Sequence, residues 1–156
     1  MSRTRRLVAV LAMLVAAVSS TLVVASPALA GSCYATSCNY LDPHTNGCDV
    51  GAQTKLPAIS PEDWYEVELR YSPGCYSAWA RASSKLAGGG GPRYHYLKLQ
   101  VWSAQTGGTL LRVETRFIDE LPPSGNSVWT AMHTFGRWVQ ACIKDANDFG
   151  WCTPRF

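Results

Sequence analysis

The chain has 156 residues, 47% of them hydrophobic, with 14 Lys and Arg against 11 Asp and Glu, which suits one hydrophobic core rather than two. Three of those cations, Arg3, Arg5 and Arg6, stand ahead of a long apolar run; without them 11 basic residues face 11 acidic ones. A domain without net charge has no field to draw it to DNA, RNA or anionic lipid, which excludes nucleic-acid binding.

Residues 7–25 carry no charge, and Ala28-Leu29-Ala30 supplies the small-x-small pattern that signal peptidase accepts. The sequence thus predicts a secretory signal over residues 1–30, cleaved before Gly31, and a single extracellular domain over residues 31–156. A retained anchor is the rival reading, because the apolar run nearly reaches bilayer length. Ser19, Ser20, Thr21 and Pro27 interrupt it, however, so no stable membrane insertion is expected after cleavage. Arg5-Arg6 fits a twin-arginine signal only in part.

Cys33, Cys38, Cys48, Cys75, Cys142 and Cys152 all fall beyond residue 30. An even count in an exported chain argues for three disulfides. No Cys-x-x-Cys pair is present and the three histidines are scattered, so neither a metal site nor a cofactor is expected.

In chain order, residues 31–61 keep no period, and Asp42-Pro43, Asn46-Gly47 and further prolines mark an irregular, turn-rich segment. Residues 65–71 alternate Tyr65, Val67, Leu69 and Tyr71 with Glu66, Glu68 and Arg70, a strand with a polar back. Ser72-Pro73-Gly74 turns the chain into a second strand over 76–83. A flexible glycine loop follows at 88–91.

Residues 94–103 form the next strand, with His95, Leu97, Leu99 and Val101 on one face and Tyr94, Tyr96, Lys98, Gln100 and Trp102 on the other. Residues 109–118 answer it with Leu111, Val113, Thr115 and Phe117. Setting apolar opposite apolar across a Thr106-Gly107-Gly108 turn pairs Val101 with Val113, Leu99 with Thr115 and Trp102 with Arg112. After a loop at 119–126, residues 128–135 and 137–144 are read as a third hairpin around Gly136. Helix competes at 137–146, but β-branched Val139 and Ile143 favour strand. Together these segments predict an all-β fold, a small antiparallel barrel or sandwich of about six strands with a disulfide-tied N-terminal segment.

Cys142 and Cys152 flank an Asp/Asn/Gly turn and are placed to staple its arms. If they pair, Cys75 can only join Cys33, Cys38 or Cys48, and the N-terminal segment is then tied to the first hairpin.

Cys33…Cys38-Asn39, Asp42-Pro43 and Gly47-Cys48, followed by Val67-Glu68-Leu69-Arg70-Tyr71-Ser72, Cys75 and Trp79-Ala80-Arg81, together resemble the YjfA-like family of secreted bacterial proteins. Trp129 to Met132, Ala141-Cys142 and Cys152-Thr153 look like the end of the same domain. The glycine insertion at 88–91 and Tyr40-Leu41 ahead of Asp42 depart from the pattern. The resemblance implies export, disulfides and a domain of unknown function, and it implies no activity.

No Gly-x-Ser-x-Gly string is present, and Gly125-Asn126-Ser127 does not replace it. His95 reads as a core histidine and His44 as a solvated turn residue. Glu66 and Glu68 read as a solvated strand face; Asp42, Asn46 and Asp49 lack the spacing of a calcium loop. Arg70 and Arg81, on neighbouring strands, are candidates to clamp an anion or carboxylate, although pairing with Glu66 or Glu68 would occupy them structurally. Tyr94, Tyr96, Trp102 and Arg112 are candidates for an aromatic binding strip, because six tryptophans exceed the needs of one small core. The function expected from this pattern is a non-enzymatic binding module for cell-wall glycan or an extracellular surface protein. The alternatives are a small secreted hydrolase using carboxylates, and an inhibitor that presents loops 81–94 or 119–126 to an extracellular enzyme.

Overall fold

A computed structural model describes residues 31–60, 63–88 and 93–156. The expected signal and most of the glycine loop lie outside them. No helix among the described residues is long and apolar enough to cross a membrane.

Among the described residues nine strands follow in order: β1 (Gln53–Ile59), β2 (Tyr65–Ser72), β3 (Ser77–Ser84), β4 (His95–Trp102), β5 (Leu110–Ile118), β6 (Val128–Trp129), β7 (His133–Thr134), β8 (Trp138–Lys144) and β9 (Gly150–Cys152). They form two antiparallel sheets, β1-β2-β3-β6 with β7 also beside β3, and β5-β4-β8-β9. The all-β expectation holds, in its sandwich form.

Alternation builds the core. Val67 and Leu69 of β2, and Ala78, Ala80 and Ala82 of β3, meet Leu97, Leu99 and Val101 of β4 and Val139, Ala141 and Ile143 of β8. The small side chains of β3 leave room for the larger ones opposite, as close packing requires.

Three elements differ from the sequence reading. β1 lies inside the segment read as irregular; it is an edge strand with a register shift near Thr54 and Leu56, and an edge tolerates Pro57. The third hairpin does not form. β6 and β7 both pair with β3 while β8 pairs with β4, so the chain crosses between sheets around Gly136. Between β6 and β7, Thr130 takes over: its N–H donates to Ala80 O, and its Oγ1 accepts from Ala80 N–H.

The β4–β5 register is the third difference. Leu99 faces Glu114 and Val101 faces Arg112, one residue away from the expected pairing, and Trp102 faces Leu110, two residues away. Leu111 is the extra residue where the register shifts. A slip of one turns every side chain over, so Val113 and Phe117 point outward and Glu114 is buried. Apolar-to-apolar matching fails here because β5 is the edge of its sheet. On its inner side only Ile118 joins the sandwich core, while Arg112 lies over Tyr40 and Glu114 feels the charge of His133.

The N-terminal segment lies across the outer face of the first sheet. There Cys38, Cys48, Cys75, Trp79 and Met132 form a second buried cluster. The disulfides are Cys33–Cys38, Cys48–Cys75 and Cys142–Cys152, the last joining register partners of β8 and β9. Cys48–Cys75 ties the segment to the β2–β3 turn, as the elimination on Cys75 required. Gly31 packs so closely on this bridge that a Cβ would lie 2.2 Å from Cys75 Sγ.

Replacing Cys48 and Cys75 together by alanine is expected to lower stability by about 3 kcal/mol, since the bridge spans 27 residues of chain. Urea titration checks this, and the far-ultraviolet spectrum of the sandwich should survive.

Candidate functional site

The outer face of the first sheet carries Glu68 and Arg70 on β2, Trp79 and Arg81 on β3 and Trp129 on β6. Register sets Glu68 beside Arg81, Arg70 beside Trp79, and Arg81 beside Trp129. The N-terminal segment roofs part of this face, so Glu68 is only 6% exposed. It is not the solvated residue its alternation suggested.

A buried carboxylate must be paired and hydrogen-bonded. Arg81 Nε donates to Glu68 Oε2 at 2.5 Å, and Thr54 Oγ1 donates to Oε1 at 2.6 Å. Burial opposes ionisation, but these bonds and the charges of Arg81 and Arg70 outweigh it and hold Glu68 below its ordinary pKa of 4.5.

The two arginines have different duties. Arg70 donates to Thr54 Oγ1 and to Ala52 O, and only 14% of its side chain is exposed. It braces β1 against β2. Arg81 is 33% exposed, and among the described residues only its Nε is engaged. Its two terminal nitrogens are left for something else.

Above this floor is a cleft of about 380 Å³, within the usual range for small-ligand sites. Arg70, Trp79 and Arg81 line it from the sheet, Pro43, His44 and Asp49 from the N-terminal segment, and Gly125, Asn126, Ser127 and Trp129 from the segment entering β6.

Local turn chemistry shapes its walls. Asp42 Oδ1 accepts the backbone N–H of His44 and of Thr45, an Asx-type turn. Asp42 Oδ2 accepts the indole N–H of Trp129 at 2.7 Å. Partial burial works against its ionisation, yet the bonds from Thr45, Trp129 and His44 hold Asp42 below its usual pKa. Both oxygens are therefore committed to the protein, which suits a structural clamp better than a calcium ligand. His44 Nδ1 lies 2.7 Å from Asp49 Oδ2, and its ring centre is 5.9 Å from that of Trp129. The hydrogen bond and charge of Asp49 raise the His44 pKa above 6.5.

A second recess of about 510 Å³ is lined by Tyr76, Phe135, Gly136, Arg137, Trp138 and Phe156. It is mostly apolar and lacks the convergent polar groups that fix a ligand.

The remaining sequence candidates are dispersed. Tyr96 and Trp102 do share the outer face of the second sheet, beside Lys144 and Trp138. The guanidinium of Arg155 lies 3.5 Å from the Trp102 ring centre and covers it, while Tyr96 packs on Phe117. Tyr94 precedes β4 and is 65% exposed. Arg112 is not opposite Trp102: the register shift puts it over the ring of Tyr40 at 5.0 Å. His95 is half-buried and bonds Arg93 O.

The family described as Protein of unknown function (DUF2690) matches residues 36–134. The chain belongs to that family. The match contains every residue lining the cleft and the Cys48–Cys75 bridge, and it stops before β8. No curated protein and no solved structure matches the chain.

Of the three arginines selected from the sequence the cleft contains Arg70 and Arg81 but not Arg112, and it adds His44, Asp49, Asn126 and Trp129, which were not chosen as site residues. The one signal that could have joined them was the Asp42-x-His44…Asp49 spacing around the Asn46-Gly47 turn.

Because its folded pKa is depressed, Glu68 contributes stability at pH values above about 4.5 that is lost as pH falls through the lower folded value. Glu68→Gln is expected to lower stability at pH 7 by about 3 kcal/mol and to flatten the decline below pH 4.5. Denaturant melts from pH 7 down to pH 2 test both effects.

Proposed function

We propose that this is an exported protein, released by cleavage before Gly31, and a non-enzymatic module that binds carboxylate-bearing glycan of the cell wall in the cleft above Arg81. The resemblance to YjfA-like secreted proteins belongs to the same reading. One observation carries it: Arg81, engaged only through Nε among the described residues, lines one cleft together with Trp129 and the His44–Asp49 pair.

Each group suits that ligand. A guanidinium edge offers two parallel N–H donors to a carboxylate. The Trp129 ring offers an apolar face to the C–H side of a sugar, while Asn126 and Ser127 offer partners for hydroxyls. With Glu68 ionised between two arginines, the floor keeps one positive charge.

The hydrolase reading is weaker. Glycosidic chemistry needs a carboxyl kept protonated beside one kept ionised. Here hydrogen bonds hold both Glu68 and Asp42 in the ionised form.

Oxidised protein purified from culture medium is expected to sediment with insoluble cell wall. Arg81→Gln and Trp129→Ala should each weaken retention about tenfold, the first by loss of a charged hydrogen-bonding contact and the second by loss of the apolar ring face, provided their melting curves show them folded. Trp102→Ala, on the opposite sheet, should be retained fully. No retention of the unaltered protein, or loss only with Trp102→Ala, would remove the cleft from the account.

A further inference from the structure

β5 is an edge strand, with β4 on one side and no strand on the other among the described residues. Exposed edges invite pairing and are normally blunted by charge, proline or bulges. The bulge here sits at Leu111, near one end, and Arg112 to Ile118 pair regularly with β4. That stretch contains no proline, and its outer face presents Val113 and Phe117, 36% and 51% exposed.

Its inner face poses a second problem. Glu114 is 9% exposed, and its Oε1 has no hydrogen-bond partner among the described residues. An orphaned buried carboxylate oxygen is costly. Burial raises the Glu114 pKa, although His133 and Arg112 oppose this. Arg112 is already stacked over Tyr40. Arg116 makes no hydrogen bond or ion pair among the described residues and is exposed.

We propose that β5 pairs antiparallel with β5 of a second copy, about a two-fold axis at Thr115, so that the two second sheets join into one. Thr115 is the midpoint of the regular stretch. This register sets Glu114 opposite Arg116 of the partner subunit, and Val113 opposite Phe117 of the partner subunit, each twice by symmetry. Opposite charges and apolar pairs facing across adjacent strands are the favourable combinations. A two-fold axis at Glu114 would instead oppose Glu114 to itself and Arg112 to Arg116, so charge selects the register. The single arrangement occupies the open edge, covers the apolar outer face and supplies the orphaned carboxylate with a cation.

Sedimentation equilibrium of the oxidised, exported protein tests this. Dimers are expected at micromolar concentration. Val113→Lys, altered only on the exposed outer face, should shift the dissociation constant at least tenfold toward monomer. Glu114→Arg alone, and Arg112→Glu with Arg116→Glu alone, should each be monomeric, and mixing these two proteins should restore a dimer containing one of each. A protein that stays monomeric up to millimolar concentration would overturn the proposal. So would a dimer unaffected by Val113→Lys, or folded charge variants that fail to associate when mixed.

Discussion

A sheet exposes its outer face to water unless something is laid across it. Here a segment of turns is held there by a covalent bond, Cys48–Cys75, whose second cysteine lies in the β2–β3 turn. Little apolar area is available to do the same work: the second cluster contains only Cys38, Cys48, Cys75, Trp79 and Met132 as fully buried members. Backbone bonds such as Ala35 N to Cys75 O, and Tyr40 N to Met132 O, fix the segment's direction once the crosslink has brought it near. Without the bridge, His44 and Asp49 are kept over Arg81 by hydrogen bonds alone, such as Trp129 to Asp42 and Arg70 to Ala52 O, and the wall of the cleft loses its covalent anchor.

The polar floor follows from that roof. Under water, Glu68 beside Arg81 would be an exposed ion pair worth little. Under the segment, the carboxylate is nearly sealed, and both of its oxygens are matched. Thr54 from β1 meets part of that need by donating to Glu68 and accepting from Arg70. The requirement fixes Arg70 in a structural duty and orients Arg81 by one nitrogen, leaving its fork directed to the cleft. A guanidinium held in this way has already lost much of its rotamer freedom, which lowers the cost of engaging a carboxylate.

What was legible in the residues was the period-two alternation and the cysteine arithmetic. Tyr65, Val67 and Leu69, and Leu97, Leu99 and Val101, announced the sandwich core, and Cys75 had to reach back to the N-terminal segment. β5 misled because Leu111, Val113 and Phe117 look like a core face, yet at this sheet's rim only Ile118, on the opposite face, reaches the apolar layer. β1 was hidden by Pro57 and by its register shift, both tolerated at an edge. Glu68 was misjudged because alternation tells which face a residue occupies, and not whether a distant segment covers that face. The cleft was half legible. Arg70 and Arg81 carried a chemical signal, whereas Trp129 and His44 became neighbours only through the crosslink and the Asp42 clamp.

The account stands on which cysteines are joined. Digesting the oxidised protein without reductant, and identifying the linked peptides by mass spectrometry, reads this directly. The expected products join Cys33 to Cys38, Cys48 to Cys75 and Cys142 to Cys152, with no free thiol. Cys75 linked to Cys33 or Cys38, or recovered unlinked, would mean that no covalent bond holds Cys48 at the β2–β3 turn, and would contradict the roofed cleft described here.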